Sequence, residues 1–160
     1  MKVRTRIAVL ALSALTFAAA CAGAKAKDPY AGMPVLPEQI ATAYPGLQPG
    51  IAGLYYEILE PGTGEVAAGA DRVDVLYELK LPDGTVVDST AWRGDQPLSL
   101  STKPNSGMIE GFRIAVSAMR LGEKRRVAIP PELGYGARGV PGVIPEWSWL
   151  VFEIKVIAIQ

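Results

Sequence analysis

The chain has 160 residues, 49% of them hydrophobic and 20% charged, with 16 basic against 16 acidic side chains. That is enough for one domain with a core and too little for two. With no histidine and one cysteine, His-based triads, imidazole proton shuttles, most catalytic zinc sites and an intrachain disulfide are all excluded.

In chain order, Lys2, Arg4 and Arg6 precede an apolar run from Ile7 to Ala20. This is the pattern of an export signal, too short to span a membrane. The run ends "FAAAC", which resembles a bacterial lipoprotein signal, cleaved before Cys21 so that a lipid on Cys21 anchors the chain. A lone exposed thiol outside the cytosol invites stray pairing, which favours lipidation. Ordinary Ala-x-Ala cleavage, leaving Cys21 free or removing it, is the alternative. The reading places the protein in the cell envelope, membrane-anchored and facing the periplasm. Removal of residues 1–20 leaves 13 basic against 16 acidic residues, a mildly acidic balance that argues against nucleic acid. There is no Gly-rich phosphate loop and no metal-ligand spacing, so neither cofactor nor metal is expected.

Residues 21–50 carry prolines at 29, 34, 37, 45 and 49 and no sustained period. They read as a Pro-rich tether, with room for a short helix in "PEQIATAYPG". Residues 51–160 read as the folded domain. "GLYYEILEPGTG" gives a strand ended by Pro61-Gly62. "DRVDVLYELKLPDGTVVDS" alternates Val73, Val75, Tyr77, Leu79 and Leu81 on one face before a Pro82-Asp83-Gly84 turn. "QPLSLS" is a short strand with Leu98 and Leu100 on one side. Met108, Ile109, Phe112, Ala115, Val116 and Met119 fall at helical spacing, with Gly122 as the expected C-terminal cap. "EKRRVAIP" begins a further strand, with Lys124-Arg125-Arg126 read as a solvated strand edge. "WLVFEIKVIAI" closes the chain with Leu150, Phe152, Ile154, Val156 and Ala158 on one face. Strands plus one amphipathic helix imply an α+β domain, an antiparallel sheet covered on one face by that helix.

The segments "VLYELKLPDGTVVDS", "PLSL", "GMIEGFRIAVSAMRLGEKRRVAIPPELGYGARGVPGVIP" and "LVFEIKVIAI" resemble, in order, the FKBP-type peptidyl-prolyl isomerases. The resemblance runs from about Gly53 to Gln160. It implies an antiparallel five- to six-stranded half-barrel wrapped around one α-helix, with a pocket between helix and sheet that receives a proline side chain. Its partners would be proline-containing polypeptides and macrolide ligands. Carried over by position, the resemblance implies a lining of Tyr77, Val87, Leu98, Met108, Phe112, Val140, Val143, Ile144 and Phe152. Val87, Leu98, Phe112 and Val140 depart from the best-known pattern but stay apolar. In "YGARGVPGVIP", Gly and Pro would bend the loop over the pocket mouth while Val143 and Ile144 line it rather than facing solvent.

The same resemblance implies that the Ile109 amide holds one substrate carbonyl, the Tyr135 hydroxyl another, and Asp88 the polar edge, with Tyr77 and Arg93 holding Asp88. On spacing alone, Tyr77, Phe112 and Phe152 read as plain core, Asp88 as a turn residue, and Tyr135 as a surface tyrosine. Trp92, Trp147 and Trp149 read as packing or rim residues. The functional readings are an exported prolyl isomerase, a proline-binding chaperone module with little turnover, or an inert structural lipoprotein.

Overall fold

The computed structural model describes residues 32–160. The signal-like segment and Cys21 lie outside them. Along the described chain run α1 (Glu38–Ala43), β1 (Gln48–Pro49), β2 (Tyr55–Glu60), β3 (Val73–Lys80), β4 (Val86–Ser89), β5 (Leu98–Leu100), α2 (Glu110–Ser117), β6 (Lys124–Ile129) and β7 (Leu150–Ile159). The strands form one antiparallel sheet in the order β1-β2-β6-β7-β3-β4, with β5 also on β3. It curves around α2 as an open half-barrel. The seventh strand, beyond the five or six expected, is the two-residue β1, paired with β2 at the edge.

Period-2 alternation puts Val73, Val75 and Leu79 of β3, Val127 and Ile129 of β6, and Leu150, Phe152, Ile154 and Val156 of β7 into one buried cluster with Phe112, Ala115 and Val116 of α2. The last strand departs from strict alternation. Val75 pairs with Val156 but Asp74 with Ala158, so Ile157 is the extra residue of a bulge. The bulge reverses parity, and Ile159 rather than Ala158 packs on the core.

Three expectations are corrected. Helix α2 ends at Ser117 with Ala118 as its cap, not at Gly122, because the chain after it is drawn into other pairings: Ala67 N–H donates to Met119 O, and Arg120 bridges Val66. The run Lys124-Arg125-Arg126 is not a solvated edge, since β6 lies between β2 and β7. Arg125 is buried against Glu123. The segment expected as tether is packed over much of its described length. Ile40 of α1 is fully buried with Ala128 and Val151 on the outer face of the sheet, and Leu36, Tyr44, Leu47, Tyr55 and Trp149 close around it.

Gly111 sets how closely α2 approaches the sheet. A Cβ there would overlap Ile129 Cγ2 and come within 3.1 Å of the Leu133 carbonyl oxygen. Its absence seats the start of the helix directly on β6 and the following loop.

Candidate functional site

The start of α2 and the ends of β3, β4, β5 and β7 converge on a small cleft of about 50 Å3, walled by Tyr77, Leu79, Asp88, Leu98, Met108, Ile109, Phe112, Tyr135 and Phe152. Three aromatic rings make its floor. Phe112 meets Phe152 edge-on at 4.9 Å between centroids and Tyr77 at 5.8 Å, while Tyr77 and Phe152 are 6.0 Å apart. These edge and tilted arrangements suit the ring quadrupoles and hold each wall through two neighbours.

Asp88 reaches the cleft through a local irregularity. Leu79 pairs with Asp88 but Lys80 with Val86, which makes Val87 the bulged residue of β4. Directly paired residues project to the same face, so the bulge points Asp88 inward beside Leu79. The turn after it is tied to β3. Tyr77 N–H donates to Thr90 Oγ1 at 3.1 Å, Thr90 Oγ1 donates to Tyr77 O at 3.2 Å, and Ala91 N–H donates to Ser89 Oγ at 3.2 Å.

Three groups define the state of the Asp88 carboxylate. The Tyr77 hydroxyl donates to Oδ2. Arg93 Nη1 donates to Oδ1 at 3.1 Å, and Arg93 Nη2 to the Tyr77 hydroxyl oxygen at 3.1 Å. Ser89 N–H donates to Oδ1 at 2.8 Å. Burial pushes the carboxyl up, but the Tyr77 hydroxyl, the Arg93 guanidinium and the Ser89 amide together outweigh it and hold Asp88 below the ordinary aspartate value. Burial pushes Tyr135 above the usual tyrosine value, and the Asp88 charge adds to that. Tyr77 is raised as well, by burial first and then by its bond to Asp88. Both tyrosines are therefore neutral donors at physiological pH. Ile109 sits immediately before α2 at φ −56°, ψ 137°, so its N–H is one of those that intrahelical bonding leaves over.

Tyr77, Asp88, Leu98, Met108, Ile109, Phe112, Tyr135 and Phe152 are thus brought together, and Leu79 joins them. Leu79 shared its alternating face with Tyr77 in the sequence, and that periodicity was the signal that could have found it. Val87, Val140, Val143 and Ile144 are not in the wall. Val87 and Val140 pack half-buried on the core, and Ile144 is a core residue. Val143 faces solvent, 47% exposed, against the expectation that it lines the cleft. The cause is a tight reversal in which Val140 N–H donates to Ile144 O at 2.8 Å and Val143 N–H to Val140 O at 2.9 Å, leaving Val143 at the tip. Gly139 permits the reversal: it lies at φ +54°, and a Cβ there would overlap the Ile144 carbonyl. Among the described residues no group of three or more Cys, Asp or Glu could hold a metal ion.

A half-barrel closed on one helix, with an aromatic-floored cleft at the start of that helix, defines an FKBP-like protein. The family model described as FKBP-type peptidyl-prolyl cis-trans isomerase matches residues 64–157. The chain is 41% identical over 108 residues to the FKBP-type 22 kDa peptidyl-prolyl cis-trans isomerase of Escherichia coli, covering 68% of this chain and 50% of that one. It is 37% identical over 116 residues to the peptidyl-prolyl cis-trans isomerase Mip of Coxiella burnetii, covering 72% and 49%. A crystal structure of a peptidyl-prolyl cis-trans isomerase from Pseudomonas syringae superposes with a TM-score of 0.65 at 33% identity, covering 76% of this chain and 88% of that one. The chain belongs to the FKBP-type peptidyl-prolyl cis-trans isomerase family, and it spans about half the length of these two curated relatives.

Proposed function

We propose that the protein is a peptidyl-prolyl cis-trans isomerase whose clients are proline-containing segments of exported polypeptides. The observation that carries the reading is the union, in one cleft, of the Tyr77, Phe112 and Phe152 rings with the Tyr135 hydroxyl and the Asp88 carboxylate. Rotation about a prolyl bond must break amide resonance, a barrier of about 18–20 kcal/mol. No covalent bond to the enzyme is needed. The planar imide has a larger dipole than the twisted one, so water favours the ground state, and a dry aromatic cleft removes that advantage. An acceleration on the order of 10⁵ corresponds to roughly 7 kcal/mol of differential stabilisation. In this mechanism the Ile109 N–H and the Tyr135 hydroxyl each donate to a substrate carbonyl. Asp88, held ionised by Tyr77 and Arg93, keeps the polar edge fixed while the ring rotates. Macrolide ligands compete for the same cleft.

A proline-binding module with little turnover is the competing reading. It is favoured by Phe112, a floor residue that departs from the best-known pattern of the resemblance, and by the small volume of the cleft. One assay separates the two. The full chain is expected to relax a proline tetrapeptide faster than background. Tyr135→Phe should slow it about fivefold, the equivalent of one neutral hydrogen bond, and Asp88→Ala by about tenfold or more. Peptide binding with only the background rate decides for the module. Export and anchoring through Cys21 rest on "FAAAC". Acyl mass on an amino terminus beginning at Cys21 is the expected result, and an unmodified mature terminus overturns it.

A further inference from the structure

One buried hydroxyl, that of Thr90, joins the strand of Tyr77 to the turn of Arg93, the two side chains that hold Asp88. Strands β3 and β4 pair Leu79 with Asp88 and Glu78 with Ser89, so the next rung would set Tyr77 opposite Thr90. The strand β4 stops short of it. Thr90 opens the short helical turn Thr90–Arg93, and its side chain makes the rung that its backbone no longer makes. Thr90 Oγ1 accepts from the Tyr77 N–H at 3.1 Å and donates to the Tyr77 carbonyl at 3.2 Å. A single hydroxyl can do both because it carries one donor and two lone pairs. At 2% exposure, Thr90 leaves solvent no room to take its place.

The two bonds differ in how replaceable they are. Ser89 Oγ also reaches the Tyr77 carbonyl, at 3.4 Å, whereas the Tyr77 N–H turns to Thr90 Oγ1. Thr90 fixes the turn as well: its carbonyl accepts the Asp95 N–H at 3.0 Å, and Gly94 closes the turn in the left-handed region at φ +66°. Arg93 lies between these ties and sets Nη1 on Asp88 and Nη2 on the Tyr77 hydroxyl. The titratable groups that face Asp88 are Tyr77 from β3, Arg93 from the turn and Tyr135 from the loop before β7. Met108, Ile109 and Phe112, at the start of α2, do not titrate.

We propose that Thr90 is a positioning residue for the reaction, its hydroxyl fixing the Tyr77 strand and the Arg93 turn at the separation that holds the Asp88 carboxylate on the polar edge of the cleft, an inference that rests on the isomerase reading above. Thr90 is not in the cleft wall, so it acts through Tyr77 and Arg93 and touches no substrate. Without the hydroxyl the Tyr77 N–H is left buried and unpaired, which is relieved by strand and turn moving apart to admit another partner. Tyr77 and Arg93 then no longer meet on one carboxylate, and the groups that favour its charged form are weakened together.

The test is made in the full chain. Thr90→Val keeps the shape and removes the hydroxyl, while Thr90→Ser keeps the hydroxyl and removes the methyl. The valine variant is expected to lower kcat/KM on a proline tetrapeptide about fivefold and to move the Asp88 carboxyl carbon titration, read by NMR, to higher pH. The serine variant should stay within about twofold of the parent rate, with its titration unmoved. Thr102→Val controls for a plain loss of stability. Thr102 is 3% exposed and its Oγ1 donates to the Ala67 carbonyl at 2.6 Å, outside the cleft wall, so both readouts should keep their parent values. If Thr90→Val does not fold, Thr90→Ala, which leaves room for the chain to relax, carries the same test. An unmoved Asp88 titration without the hydroxyl overturns the inference, as does a serine variant as impaired as the valine one, or the same shift in Thr102→Val. A parent rate at background with a moved Asp88 titration overturns isomerisation and leaves the hold of Thr90 on Asp88 standing.

Discussion

Asp88 is the residue on which the polar edge of the cleft depends, and its neighbours divide the task. Burial alone would favour the neutral acid, which as a donor would compete for the substrate's acceptors. Tyr77 and Arg93 reverse that preference. Because the folded-state value is depressed, the carboxylate is present throughout neutral pH and is lost only as pH falls through that lowered value. Activity should therefore be level at neutral pH and decline on the acid side. On the alkaline side Tyr77 and Tyr135 remain donors beyond the ordinary tyrosine value of about 10. Arg93→Gln removes one of the groups that hold Asp88 down, so the acid limb of the kcat/KM profile should move to higher pH, with the Asp88 carboxyl carbon titrating in step by NMR. An unmoved limb would mean that Tyr77 and the Ser89 amide suffice.

At the level of elements, α1 is short enough to pass for loop, yet it covers apolar surface on the outer face of the sheet. Ile40 plugs the outer face over Ala128 and Val151. Ile40→Ala should cost about 2–5 kcal/mol and lower Tm by roughly 10 °C. A chain begun at residue 51, the boundary read from the sequence, loses the whole cover and should be less stable still by thermal denaturation. An unchanged Tm in both would show that α1 contributes nothing to the fold. The sequence made β3, β6, β7 and α2 legible because each carries a periodic apolar stripe, and the wall residues Tyr77, Phe112 and Phe152 lie on those stripes. It left α1 only as room for a short helix within an expected tether, because prolines at 34, 37, 45 and 49 interrupt any period over so few residues. It also hid both bulges, at Val87 and Ile157, because an inserted residue shows only in pairing register. The exposure of Val143 was hidden for a related reason: composition marks that stretch as a bend, but the tip of the reversal is fixed by hydrogen bonds between Val140 and Ile144.

Across the whole molecule, every carboxylate with a resolved shift moves downward. The outer face of the sheet carries a ladder in which Arg126 joins Glu57 and Glu153, Lys124 joins Glu153, and Lys155 joins Glu60. Burial pushes Glu153 up, but Arg126 and Lys124 outweigh it. Glu60 is lowered by its bond to Lys155 and Asp74 by Arg72 and Ser99. Asp83 is lowered by the Thr85 amide and Glu110 by Arg113. In each case the unfolded chain binds protons at a higher pH than the folded one, so the stabilisation is complete above the unfolded values near 4 and is lost as pH falls through the depressed folded values. With no histidine in the chain, no side chain has an ordinary value between about pH 5 and pH 8. The urea midpoint is therefore expected to be level across that interval and to drop below about pH 4. Arg126→Met should lower the neutral midpoint and shrink the acid drop, because Glu153 is then no longer held down by the guanidinium beside it. A midpoint that slopes between about pH 5 and pH 8 would require a titrating group that the described residues do not contain.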